Sequence, residues 1–146
     1  MEKSKEYKIH FELFNKFVNE SLKYNTTGVT RKEGNEIIET IKRINQKLKI
    51  FNPKLKKRIH DRKFEINAIG ELVVNDKKVV YMEDYFEKIW EIHSVGVKHP
   101  GITLTTSEIN KRYSCIPRSA IEYFIKECST CKSKHTKVSY MSSLIL

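Results

Sequence analysis

The sequence predicts a mainly α protein with a small antiparallel β-hairpin: N-terminal helices come first, then a three-helix module stapled by zinc. Three observations carry this. Apolar residues recur at helical spacing before residue 63 and again after residue 82. The pattern between those points switches to period two. The third observation is a set of two histidines and two cysteines spaced His-x5-His-x28-Cys-x2-Cys, at His93, His99, Cys128 and Cys131. The division that follows is a basic helical region over 1–62, a hairpin extension over 63–82, a zinc-binding unit over 83–134 and a tail or linker over 135–146.

Residues 8–24 place Phe14, Phe17, Val18 and Leu22 on one helical face, and Asn25, Thr26, Thr27 and Gly28 break it. Thr30 with Glu33 three residues on reads as a capping box. Ile37, Ile38, Ile41, Ile44 and Leu48 then continue a helix to near Phe51. Asn52 and Pro53 suit an N-cap and first helical position, opening a short basic helix from Lys54 to about Asp61. Asn75 to Lys78 reads as the turn of a hairpin joining Leu72–Val74 to Val79–Tyr81. Tyr85, Phe86, Ile89 and Trp90 define an amphipathic helix that ends at His93. Thr105 and Glu108 read as a second capping box, ahead of Ile109 and Tyr113. Pro117 fits the first turn of a last helix, where Ile121, Phe124, Ile125 and Cys128 recur at i, i+3, i+4 and i+7.

Two imidazoles and two thiolates make a complete tetrahedral set for structural zinc, with no position open for water or substrate. Cys-x2-Cys lets two sulfurs reach one ion from a single turn. His93 and His99 bracket a loop containing Gly96. So little apolar surface cannot offset the conformational entropy of three short helices, and a bound ion supplies the difference. His10 and His60 have no comparable partners, and His135 is a fallback ligand near the thiolates. Cys115, without a paired thiol, reads as a core or boundary residue. An odd count of three cysteines argues against a disulfide framework and for a reducing compartment. No stretch approaches the roughly 20 apolar residues of a membrane span, and no signal-peptide apolar core opens the chain.

Lys and Arg number 28 against 18 Asp and Glu, a formal net charge of +10 that favours a polyanionic partner, nucleic acid above all. The densest stretch runs from Lys42 to Lys63. The candidate phosphate contacts there are Lys54, Lys56, Lys57, Arg58, Arg62 and Lys63, with Asp61 the single opposing charge. A second set, Lys111, Arg112 and Arg118, lies around the zinc helices, with Lys126, Lys132, Lys134 and Lys137 beyond it. No stacking aromatic is read among these charges, and no helix shows the Asn, Arg and Gln set of a major-groove reader. Solvated helix faces or a nuclear-import signal are the plain alternatives. There is no Gly-rich phosphate loop, and Glu83, Asp84 and Glu87 belong to a solvent face, so no enzymatic site is expected.

These residues carry a resemblance. His93, the run His99-Pro100-Gly101, Thr105 or Thr106 with Ile109, and Lys111-Arg112-Tyr113 fit one pattern. So do Ile116-Pro117-Arg118 with Ile121 and Phe124, and Cys128-Ser129-Thr130-Cys131. From Glu83 to Lys134 the chain resembles the zinc-binding His-His-Cys-Cys domain of integrases from retroviruses, gypsy-type retrotransposons and related cut-and-paste DNA transposons. The strand-rich stretch from Lys63 to Tyr81 is similar to the extension that precedes this domain in gypsy-like members. The likeness covers roughly half the chain. Many gypsy-type members carry Tyr-Trp-Pro where this chain has Cys115-Ile116-Pro117, a departure that points to the transposon branch or a domesticated gene.

The resemblance implies self-association and the holding of DNA ends. The three-carboxylate catalytic core would lie downstream, and 15 residues remain after Cys131. The expectation is therefore a non-catalytic, nuclear, zinc-binding module that binds DNA and multimerises. Its alternatives are a domesticated nuclear adaptor that docks another protein, and the N-terminal part of an active integrase or transposase.

Overall fold

The computed structural model describes residues 4–22, 28–94 and 99–131. The expected chain break at Asn25–Thr27, Gly96, His135, the tail, and Lys132, Lys134 and Lys137 lie outside these residues. The architecture is mostly helical with one small sheet. Helix α1 spans Lys5–Ser21, α2 Arg31–Asn45 and α3 Pro53–Arg62. Strands β1 (Phe64–Ile66), β2 (Leu72–Val74) and β3 (Lys77–Val79) follow. A 3-10 turn at Met82–Asp84 leads into α4 (Tyr85–His93), then α5 (Ile102–Arg112), β4 (Tyr113–Ser114) and α6 (Arg118–Lys126).

Local chemistry explains the boundaries. Ser4 caps α1 by accepting from the Tyr7 amide at 3.1 Å. Thr30 caps α2 through the Glu33 amide at 3.1 Å, and its hydroxyl donates to the Glu33 carboxylate at 3.2 Å. Asn52 caps α3 ahead of Pro53, and Lys63 ends that helix in the left-handed region at φ 59°. Helix α2 stops at Asn45, earlier than its apolar spacing suggests, because Lys47 turns left-handed at φ 56°.

The hairpin turn is tighter than expected. Asn75 and Asp76 both take positive φ, 51° and 64°, and Val74 pairs directly with Lys77. That is a two-residue turn of the primed type, which Asn and Asp tolerate. The strand after it is accordingly Lys77–Val79 rather than Val79–Tyr81.

The hairpin is also part of something larger. The sheet has four strands in the order β1-β2-β3-β4, the first three antiparallel and β4 parallel to β3. Strand β4 ties the junction of α5 and α6 to the hairpin, with the Val80 amide donating to the Ser114 carbonyl at 3.0 Å.

Two apolar clusters result. The first joins α1 (Tyr7, Phe14, Val18) and its C-cap Leu22 to α4, α5 and α6, with Cys128 and Cys131 at its edge. The second lies between α2, α3 and the sheet: Val29, Ile37, Ile41, Ile59, Phe64, Leu72, Val79 and Cys115. Tyr85 links them. Its ring is in the first cluster, and its buried hydroxyl donates to the Cys115 carbonyl at 2.7 Å. Burial pushes that phenol well above its ordinary range, so the hydroxyl stays a donor.

Helix α2 approaches Tyr81 at a glycine. A Cβ on Gly34 would fall on the Tyr81 ring, 2.6 Å from Cζ and 2.7 Å from the hydroxyl oxygen. Gly34→Ala should gain helix propensity of about 1 kcal/mol but overpack the contact at about 1–3 kcal/mol. The expected net result is a lower urea midpoint; a raised midpoint would show that Tyr81 yields freely.

Candidate metal centre

His93 is the last residue of α4 and is fully buried. It sits there because the apolar face of α4 (Tyr85, Phe86 and Ile89, then one more turn) carries its side chain into the first cluster. Its ring meets Phe124 edge-on with centroids 5.7 Å apart. Cys128 follows the buried face of α6 by one turn, and Cys131 comes from the helical turn after it; both thiols are buried. His99 enters from the segment before Pro100 and is half-buried.

The four donor atoms lie within 4.8 Å of one another. His93 Nε2 is 3.3 Å from Cys131 Sγ and 3.3 Å from His99 Nδ1, and His99 Nδ1 is 3.4 Å from Cys128 Sγ. These three separations match edges of a tetrahedron around one ion. Zinc bonds of about 2.0–2.1 Å to nitrogen and about 2.3 Å to sulfur give edges of about 3.3–3.6 Å for N···N and N···S pairs. The end of α4, the segment before Pro100 and the turn after α6 thus bring two nitrogens and two sulfurs around a space that could hold a metal ion.

One hydroxyl, that of Thr105, backs the imidazole nitrogen turned away from the cage. Thr105 Oγ1 donates to the Pro100 carbonyl at 3.1 Å, so its lone pair is turned to His93 Nδ1, 3.4 Å away. With the proton on Nδ1, the Nε2 lone pair would be free for an ion in the cage. Support of this kind around metal-bound histidines orients the ring and raises its basicity. The sequence expectation for Thr105 needs correction here. It is not an N-cap: α5 begins at Ile102 with Gly101 at its cap and no side-chain cap bond. Thr105 is a buried residue inside the helix, and its hydroxyl serves the histidine. The Thr-x-x-Glu pattern signals a helix start only when the threonine lies outside the helix.

The other titratable residues are placed differently. His10 is buried among Phe86, Trp90 and Phe124, with Nε2 2.8 Å from the Phe124 carbonyl. Cys115 lies in the second cluster at φ 71°, away from the cage. His60 is exposed beside Asp61 at 3.5 Å.

The basic candidates divide by helix register. On α3, Leu55 and Ile59 face inward, which turns Lys54, Lys56 and Lys57 to solvent, and Lys63 after them is also exposed. Among the described residues none of these four lysines has a carboxylate partner. Arg58 turns inward, bonding Glu33 at 2.6 Å and the Gly28 carbonyl at 3.2 Å. Arg62 sits with its guanidinium 5.6 Å from the Phe64 ring and 4.0 Å from Cys115 Sγ. On the half that holds the cage, three basic candidates have acidic neighbours. Lys111 and Arg112 share Glu108 at 3.1 and 3.9 Å, and Arg118 holds Glu122 at 2.8 Å.

One residue of this surface goes unread in the sequence. Phe51 is 72% exposed between Lys49 and Lys54, with the Arg43 guanidinium 4.5 Å from its ring centroid. Its place just ahead of Asn52-Pro53, outside both helices, was the available signal. Among the described residues no helix is long and apolar enough to cross a membrane. No known family profile matches the chain, and neither a curated protein nor a solved structure significantly similar to it was found.

Proposed function

We propose that this chain is a non-catalytic, zinc-stabilised module that binds DNA, built on the plan of the integrase His-His-Cys-Cys domain. The observation that carries the reading is the convergence of His93, His99, Cys128 and Cys131 on one cage of tetrahedral dimensions. Zinc is the ion these donors suit: two thiolates cancel its charge, two imidazoles complete four-coordination, and no position is left for a reacting molecule. The ion supplies folding energy and holds α4, α5 and α6 together. Function then belongs to the surface.

That surface is the solvent face of α3 and its C-terminal end. Four exposed lysines, Lys54, Lys56, Lys57 and Lys63, stand there; Asp61 is the one acidic residue within the run, and Glu65 and Asp76 border Lys56 and Lys63 from the sheet. Such a face contacts phosphates without reading sequence. Arg58 and Arg62, turned to Glu33 and Phe64, support the helix instead. Lys111, Arg112 and Arg118 have acidic neighbours and contribute less net field. The resemblance adds self-association and action in the nucleus to the proposal; sedimentation at rising concentration tests the first, and imaging of the tagged chain the second.

Four phosphate contacts give a salt slope near −3.6, so duplex affinity should fall about 100-fold between about 50 and about 200 mM salt. Replacing Lys54, Lys56 and Lys57 together by Glu should weaken duplex binding at least about tenfold and flatten the slope by about one unit per lysine. Zinc content should not change. Salt-independent binding, or retained affinity in the triple variant, would favour the adaptor reading.

A further inference from the structure

We propose that the junction between α2 and α3 is a docking site for an unpaired nucleobase, with Phe51 as its stacking platform; this rests on the nucleic-acid reading of the same basic surface. Phe51 is 72% exposed, although burying a phenylalanine is ordinarily favourable by about 1.5–3 kcal/mol. One side of the ring is engaged by Arg43, whose guanidinium carbon lies 4.5 Å from the centroid. Arg43 is itself held in place. Its Nε is 3.3 Å from Glu39 Oε1, and its NH1 group donates to the Lys49 carbonyl at 3.3 Å. The result is a fixed aromatic–guanidinium pair at the surface rather than a loose side chain.

The pair borders an open recess of about 440 Å³ lined by Asn35, Glu36, Glu39, Thr40, Asn52 and Leu55. That lining suits the edge of a base. Carboxylates accept from exocyclic amines such as cytosine N4, and carboxamides both donate and accept. The same carboxylates repel phosphate, so the backbone belongs outside the recess. There Lys42, Lys47, Lys49 and Lys54 are exposed, and among the described residues none has a carboxylate partner. An exposed aromatic with exposed cations near it in the chain suits single strands, because every unpaired base has a face to stack. A duplex keeps its base faces covered and can use only the lysines. The chemistry is common to single-stranded DNA and RNA.

The test is fluorescence anisotropy of the full, metal-bound chain with short oligo(dC), oligo(rC) and a random duplex. Phe51→Ala should weaken single-strand binding about 5- to 100-fold and leave duplex affinity within about twofold, since phosphate contacts are untouched. Phe51→Tyr, which keeps the stacking face, should bind single strands like the wild type. Loss on the DNA strand alone, the RNA strand alone or both identifies the source. Phe51 is exposed, so the substitution spares both cores. Single-strand affinity that is independent of Phe51, or an equal loss on single strand and duplex, overturns this inference while lysine-dependent duplex binding stands. If the wild type binds neither form, the nucleic-acid reading falls and this site falls with it.

Discussion

Chelation of the wild-type protein, or Cys128→Ser, is expected to unfold the half of the molecule built from α1, α4, α5 and α6. Structural zinc contributes an apparent ~10–16 kcal/mol at neutral pH, against a total stability of ~5–15 kcal/mol for an ordinary domain. Losing the ion therefore removes an amount comparable to the whole stability of the fold. The effect is local in origin. The two cysteines belong to the edge of the first apolar cluster, and the buried His93 ring packs against Phe124 of the same cluster. Without the ion, four polar donors would remain crowded there. Trp90 is the sole tryptophan of the chain and packs against Tyr7 and Phe86 in that cluster, so its emission reports this half directly. It should shift to the red in chelator as far-ultraviolet ellipticity falls. The second cluster, around Ile37, Ile59 and Phe64, contains no metal ligand, and its helices α2 and α3 should retain part of their signal. Cys115→Ser, outside the cage, should keep the ion. Unchanged melting and unchanged Trp90 emission in chelator would contradict the assignment.

Phe124→Ala is expected to lose about 3–5 kcal/mol of stability, the range for truncating a buried aromatic. Phe124 is fully buried at the meeting point of three helices. Its ring lies 4.2 Å from His10 and 5.9 Å from Phe14 on α1, and 5.1 Å from Phe86 on α4. It also backs the His93 imidazole. Truncation should thus both loosen α1 and weaken metal retention, since a ligand ring would lose the wall that orients it. The readouts are the denaturant midpoint at unchanged slope and the chelator concentration that strips the ion. A loss under about 1 kcal/mol would mean that α1 packs too loosely for the cavity to matter.

What the sequence disclosed and what it hid follow from range. Features set by local chemistry were legible: the Asn52-Pro53 start of α3, the apolar stripe of α4, and the ligand spacing that put His93 at a helix end and Cys128 on a buried face. Tertiary placement was not. Strand β4 is two residues long, too short for any alternation to show, and it exists because the junction of α5 and α6 falls beside β3. Thr105 carried a capping pattern, yet the helix had already begun at Ile102 with backbone bonds alone. The run Lys56-Lys57-Arg58 looked uniform until the inward register of Leu55 and Ile59 separated two exposed lysines from a buried-side arginine. Gly34 revealed nothing of Tyr81, 47 positions away in the chain, whose ring occupies the place a Cβ would take.

The most direct measurement is native mass spectrometry of the freshly purified chain, beside the same sample after acid denaturation. One zinc ion per chain in the native spectrum, absent from the acid spectrum and from His99→Ala, is the predicted result. A bare-chain mass accompanied by full helical ellipticity would contradict it, because the cage would then be closed without the ion that explains its shape.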